Sequence, residues 1–275
     1  MFKTTIIGLL ALLLVTAAGC GSSSKPPESG ADLRLGTSSA GPYDTVYQVS
    51  TINALLQGVY DGDVSCGQLQ RQGNLGLGTF DNLDGEMVVL DGQVWQVRAD
   101  GTVHPAAEAT ETPFATVVNF RADETRTLAG AASLAELQRQ LDGFRSNPNL
   151  FYAFRIDGRF PYLKTRSVPR QERPFPPLAE VTGQQPTFEF QNVAGTLVGF
   201  WCPAYVQNLN VPGYHLHFIS NDRQIGGHLL ECQLESGAGQ VDALPQFHLM
   251  TLQNEDFGKA DLAGDRSRET EKVEK

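Results

Sequence analysis

An α+β fold built mainly from antiparallel β-hairpins is predicted by three observations. The 275-residue chain carries 28 glycines and 15 prolines, a composition that favours many turns. Short apolar runs alternate with polar residues at a period of two and are separated by turn signals such as Asp91-Gly92. The clearest helix is a single stretch, Ser133 to Leu141. Hydrophobic residues make up 41% of the chain, enough for a folded core. A net charge of −10, with no basic run to offset it, argues against nucleic-acid binding as the main role.

Taken in order, residues 1–19 read as a signal peptide. Lys3 supplies the positive n-region, and Ile6 to Val15 form an apolar h-region too short to span a bilayer comfortably. Ala17-Ala18-Gly19-Cys20 follows and resembles a bacterial lipobox, with Ala17 where Leu is usual. Cleavage before Cys20 and lipid attachment to it are expected. The chain would then be exported and membrane-anchored through Cys20, facing the periplasm or the cell exterior. Secretion as a soluble protein, by cleavage among the same small residues, is the alternative. Residues 20–43 form the lipidated Cys and a Gly/Ser-rich flexible linker. The folded domain is expected over 44–275, with an N-terminal half (44–168) and a C-terminal half (178–275) on either side of the proline-rich Pro169–Pro177.

Within the first half, Thr45–Ser50 alternates as a strand, and Thr51–Gln57 suits one or two helical turns. Met87–Leu90 and Gln93–Val97 form a hairpin about Asp91-Gly92. Thr116–Phe120 is a further strand. Ser133 with Glu136 suggests a capping box, Leu134, Leu137 and Leu141 share a helix face, and Gly143 can end the helix. Phe151–Asp157 reads as one strand and Tyr162–Val168 as another after Gly158. Val193–Phe200 opens the second half. The charged segment from Gly258 to the end reads as a solvated, partly helical tail.

The chemistry concentrates in Gly213-Tyr-His-Leu-His-Phe-Ile-Ser-Asn-Asp-Arg-Gln-Ile-Gly-Gly-His228, which holds three of the five histidines. His215 and His217 stand two apart and so point to one face of a strand. A turn centred on Asp222-Arg223 places His217 opposite His228, with Cβ atoms roughly 4.5–5.5 Å apart. Three converging imidazoles that leave further positions open suit a catalytic zinc better than a structural one. A cupin-like metal- or small-ligand-binding envelope lipoprotein without catalysis shares this His pattern and is the alternative reading. His104 and His248 are isolated and read as structural.

Other residues are less informative by themselves. Glu86 opens an apolar strand after the Asp84-Gly85 turn, and local pattern alone makes it a strand-edge charge. Arg166, in an alternating segment, reads as a solvent-facing strand end. Cys66, Cys202 and Cys232 leave an odd thiol once Cys20 is lipidated. One disulfide is compatible with an oxidising compartment, and Cys232 reads as core.

Several segments together resemble the α-acetolactate decarboxylases. They are Gln57-Gly-Val-Tyr-Asp-Gly-Asp63, Gly76-Leu-Gly-Thr-Phe80, Leu83-Asp-Gly-Glu86, Thr112-Pro-Phe-Ala115, Phe151-Tyr-Ala-Phe-Arg-Ile-Asp-Gly158, Thr165-Arg166, and Gly213-Tyr-His-Leu-His-Phe218 with Gly226-Gly-His228. The resemblance implies a two-part fold of mainly antiparallel sheets with a few helices, often dimeric, so a homodimer is an expectation. It implies a zinc enzyme that converts (S)-2-acetolactate to (R)-acetoin and carbon dioxide, a step of acetoin and butanediol biosynthesis. By the same resemblance His215, His217 and His228 are the Zn2+ ligands, and Glu86 and Arg166 are catalytic. A glutamate of the tail is catalytic too, Glu274 as the best positional match and Glu271 as the second.

Overall fold

In the computed structural model, which describes residues 42–274, the alternating runs become the strands of two large sheets. In chain order the first elements are β1 (Thr45–Val49), α1 (Ile52–Leu56), β2 (Val64–Ser65), α2 (Cys66–Gln70), β3 (Leu75–Thr79), β4 (Glu86–Leu90), β5 (Gln93–Val97), β6 (Val103–Pro105), β7 (Glu111–Thr112), β8 (Ala115–Val118) and β9 (Glu124–Leu128). There follow α3 (Leu134–Asp142), β10 (Phe151–Arg166), α4 (Leu178–Val181), β11 (Thr187–Cys202), β12 (Gly213–Ser220), β13 (Gly226–Gln233), β14 (Ser236–Leu244), β15 (Gln246–Met250), α5 (Glu255–Lys259) and α6 (Ser267–Glu274). The signal peptide and Cys20 lie outside the described residues.

One sheet has the order β15-β1-β8-β3-β4-β5-β6, the other β11-β12-β13-β10-β14-β9. Within both sheets the pairing is antiparallel except between β1 and β15, which run parallel. The second sheet curls, because β10 is long enough to pair with β14, β13 and β11. The strands do not divide between the sheets at the proline-rich segment. β9 and β10 precede it yet belong to the second sheet, and β15 follows it yet closes the first.

The period of two assigns each strand face. In β4, Val88 and Leu90 join the core between the sheets, where they meet Val198, Phe200 and Ile219. Met87 and Val89 face the other way, against α2 and the segment around α5. Glu86 shares the parity of Val88 and so looks toward the second sheet. On that sheet's outer face Leu137 and Leu141 of α3 pack with Phe154, Phe160 and Phe218. A fourth cluster gathers α1, α4 and α6 through Ile52, Leu56, Leu178, Val181 and Val273.

Two local expectations are corrected. Gly158 does not break a strand, because β10 runs through it with Gly195 and Gly237 as its partners. A Cβ there would sit 2.7 Å from Leu234 Cδ1 and 3.0 Å from Ser236 O, so glycine answers a close approach rather than a turn. The capping box is also incomplete. Ser133 Oγ accepts from Glu136 N, but the Glu136 carboxylate accepts from Ala132 N instead of Ser133 N. Cys66, Cys202 and Cys232 are all free and buried, with Cys232 in the core as expected. His104 is exposed, and His248 stacks on Tyr47.

Asp242 in β14 is wholly buried; Oδ2 accepts from Arg121 N at 2.9 Å, and Oδ1 has no partner. Burial pushes its carboxyl up to about 6. The folded state therefore binds the proton more tightly than the unfolded chain, and stability from this group is lost as pH rises from about 4 through 6. Asp242→Asn is expected to melt higher than wild type at pH 8, by ~1 kcal/mol or more in stability, with the advantage gone at pH 4. A melting difference that does not change with pH would refute this.

Candidate active site

The histidine hairpin forms as its spacing predicts. Ser220 and Asp222 cap the turn, with Asp222 Oδ1 accepting from Ser220 Oγ at 2.6 Å and from Gln224 N at 3.2 Å. His217 stands directly opposite His228. His228 in turn pairs with Arg166, so His217, His228 and Arg166 form a row across β12, β13 and β10. Directly opposed residues share a face. The Arg166 pairing depends on a register shift between Lys164 and Thr165. The row faces the first sheet, where Glu86 begins β4.

Three ring nitrogens converge. His215 Nε2 lies 3.2 Å from His217 Nε2 and 3.2 Å from His228 Nδ1. All three rings are buried. Burial holds His215 down to about 3, with Arg166 adding to the effect, and it places His217 and His228 well below their ordinary range. The rings are neutral, and the hydrogen-bond network assigns the protons of two of them. His217 Nδ1–H donates to Met87 O at 2.8 Å, and His228 Nε2–H donates to the Glu274 main-chain carbonyl at 3.3 Å. Their inward nitrogens therefore present lone pairs. His215 has one proton and cannot donate to both neighbours, and its Nδ1 is buried without a partner. Lone pair faces lone pair, which a cation between them resolves. Tetrahedral bonds of about 2.0–2.1 Å put ligand nitrogens ~3.3–3.4 Å apart, close to the observed spacing. The residues fit a divalent metal.

Charged groups ring this centre. Glu86 Oε2 is 3.6 Å from His217 Nε2, and Glu274 Oε2 is 3.4 Å from His215 Nε2. Arg166 Nη2 stands 4.0 Å from Glu274 Oε2, and its Nη1 donates to Gln185 Oε1 at 2.7 Å. Arg166 Nε is buried without a partner. Burial pushes the Glu86 carboxyl up to about 8, opposed by Arg166 and reinforced by Glu274. Burial also raises Glu274, again opposed by Arg166. Leu55, Leu83, Phe114, Val168 and Leu178 supply apolar walls. Such a site can bind an anion, stabilise a developing oxyanion and hold protons on carboxyl groups out of bulk water.

Residues 46–264 match the family model for alpha-acetolactate decarboxylase. The chain belongs to the alpha-acetolactate decarboxylase family. The chain is 49% identical over 232 residues to the alpha-acetolactate decarboxylase of Methanosarcina mazei, covering 84% of this chain and 81% of that protein. It is 37% identical over 260 residues to that of Brevibacillus brevis, covering 94% and 91%. The crystal structure of alpha-acetolactate decarboxylase from Bacillus subtilis strain 168 superposes with a TM-score of 0.82 at 38% identity, covering 84% of this chain and 99% of that one.

For this member of the alpha-acetolactate decarboxylase family, the structure brings His215, His217, His228, Glu86, Arg166 and Glu274 into one cavity. Arg166 is buried rather than solvent-facing, and the tail is not simply solvated, because Thr270 and Val273 are buried and Glu274 reaches the imidazoles. Glu274 lies beyond the matched span, so its place is carried by the geometry. Glu271 borders a neighbouring cavity instead. Sequence reading missed Thr79, Gln185 and the Met87 carbonyl. Thr79 Oγ donates to Gly85 O at 2.7 Å and pairs with Glu86 across β3 and β4, which fixes the turn that delivers the carboxyl. Thr79 lay outside every predicted strand, so no local signal marked it.

Proposed function

We propose that this chain decarboxylates (S)-2-acetolactate to (R)-acetoin and carbon dioxide, with zinc held by His215, His217 and His228. The observation that carries the reading is the meeting of three neutral imidazoles, a buried and a largely buried carboxyl group and one buried guanidinium in a chain of this family. Three nitrogen donors suit zinc among the divalent metals. When bound, the metal supplies Lewis-acid stabilisation of the negative charge that builds on the substrate's oxygens as carbon dioxide leaves.

The chain's own groups do the rest. The bond between the carboxyl carbon and C2 breaks, its electron pair passes into the neighbouring ketone, and C2 then takes up one proton. Arg166 offers its unpaired Nε–H to the substrate carboxylate, while Gln185 holds the guanidinium in place. Glu86, whose burial favours the protonated carboxyl, is placed to hold the proton that C2 receives. Delivery from one wall of the cavity gives a product of one configuration. The apolar walls exclude water that would otherwise solvate both charges.

Incubation of the purified, zinc-loaded chain with racemic 2-acetolactate is expected to give (R)-acetoin, with a chelator abolishing it and added zinc restoring it. No acetoin from protein that contains zinc would overturn the decarboxylase reading and favour a binding protein. Export and lipid attachment at Cys20 belong to the same proposal, and the mass of the mature N-terminus tests both.

A further inference from the structure

Glu86 and Arg166 arrive on different sheets, one on β4 of the first and the other on β10 of the second. The reaction needs both against one molecule. Arg166 takes the carboxylate that leaves C2, and Glu86 gives C2 its proton, so the spacing of these two strands is part of the chemistry. Buried side-chain bonds cross between the sheets on either side of Glu86. His217 Nδ1–H donates to Met87 O at 2.8 Å, and Ser167 Oγ–H donates to Val97 O at 2.7 Å. Met87 follows Glu86 in the chain, and Val97 is the partner of Glu86 across β4 and β5. Ser167 directly follows Arg166. One bond therefore ties Glu86 to the metal hairpin, and the other ties it to the strand end that carries Arg166.

Ser167 is wholly buried. Its N–H donates to Pro186 O at 3.3 Å, beside the Gln185 that holds the Arg166 guanidinium. The Val97 carbonyl is approached from another side as well. A Cβ on Gly85 would come within 2.3 Å of that oxygen, so the turn that launches Glu86 rests against it. Val97 O is thus a common reference point for the Glu86 turn and the Arg166 strand end. Thr165, on the other side of Arg166, makes a bond of different reach. Its Oγ1 donates to Gly226 O at 2.9 Å, within the second sheet. Thr165 fixes the strand end to the histidine hairpin, and Ser167 fixes it to the strands that carry Glu86.

We propose that Ser167 is a positioning residue for the decarboxylation: its hydroxyl, by holding Val97 O, sets the spacing between the proton donor Glu86 and the anion-binding Arg166. The inference rests on the decarboxylase reading above and adds to it a residue outside the substrate cavity. Loss of the bond leaves the imidazoles on their own hairpin and the guanidinium on Gln185. What changes is the fit of the Glu86 carboxyl to C2. A misplacement of about 1 Å can cost ~10²-fold in rate, and a strand end freed of one buried bond moves by part of that distance. A carbon left waiting for its proton takes it from water on the other face. The loss then shows in the product's configuration as well as in the rate.

The test sets Ser167→Ala, Ser167→Cys and Thr165→Val against wild type in the zinc-loaded full chain. Each is read for zinc content, melting temperature, kcat, KM and the enantiomeric ratio of the acetoin formed from 2-acetolactate. Ser167→Ala is expected to keep its zinc and a KM within about threefold of wild type, to lose about tenfold in kcat, and to release (S)-acetoin as about a tenth or more of its product. Ser167→Cys retains a weak donor and is expected to fall between wild type and Ser167→Ala. Thr165→Val removes an equally buried hydroxyl from the same strand but no link between the sheets, and its product is expected to stay (R). A general loss of stability lowers the active fraction and leaves configuration alone, so the ratio separates positioning from mere support. Should Ser167→Ala fail to fold, Ser167→Cys against Thr165→Val decides the same question. Unchanged kcat and configuration in the Ser167 variants, or an equal loss of configuration in Thr165→Val, would overturn the positioning role and leave the decarboxylase reading standing. Wild-type chain that holds zinc but gives no acetoin would sink both.

Discussion

A chain carrying His217→Ala is expected to purify without stoichiometric zinc and to lose about 10³-fold or more of its turnover, equivalent to ~4 kcal/mol of transition-state stabilisation. His217 is the most firmly held of the three imidazoles. Its ring is buried, its Nδ1 proton is committed to Met87 O, and its partner across the hairpin is His228. Removing it leaves two inward nitrogens where a metal needs three, and the Met87 carbonyl loses its donor. Elemental analysis and acetoin formation check both halves of the expectation. Zinc retained at one per chain would refute the ligand role, whatever happened to turnover.

Arg166→Met is expected to separate the two functions of the site. Turnover should fall by ~10²–10³-fold, the cost typical of losing one preorganised donor to developing charge. Metal binding should survive, because Arg166 works against positive charge at the histidines rather than for it. Both carboxyl groups should hold their protons to still higher pH, since Arg166 is what opposes their burial. Arg166→Lys should restore only part of the loss. Lysine keeps the charge but lacks the planar fork that reaches Gln185 and leaves Nε–H free for an anion. Zinc content and steady-state kinetics of the two variants are the measurements. Loss of zinc from Arg166→Met would show the guanidinium to be structural support for the metal.

The contrast between these residues explains how far the sequence could be read. The hairpin was legible because strand period and turn chemistry are local, so His215, His217 and His228 followed from spacing. The Asp91-Gly92 hairpin and α3 were legible for the same reason. Arg166 and Glu86 looked like strand-end charges, since nothing local tells whether a strand end is covered by another sheet. Their roles came from family resemblance, and only the register of β10 with β13 puts Arg166 beside His228. The continuity of β10 through Gly158 was hidden for a related reason. What makes glycine necessary there is the approach of Leu234 and Ser236, about 80 residues later in the chain. β3 went unread because its Leu-Gly-Leu-Gly pattern looks like a loop. A Cβ at Gly78 would meet Phe114 O at 2.4 Å, so the glycines let β8 approach.

The parallel pairing of β1 with β15 has a consequence for the birth of the molecule. Thr45 leaves the ribosome early, and its partner Gln246 is 201 residues behind it. At ~5–20 residues per second, that is a wait of roughly 10–40 s. Throughout it, one side of β1 is an open hydrogen-bonding edge, the kind that recruits strands from other chains.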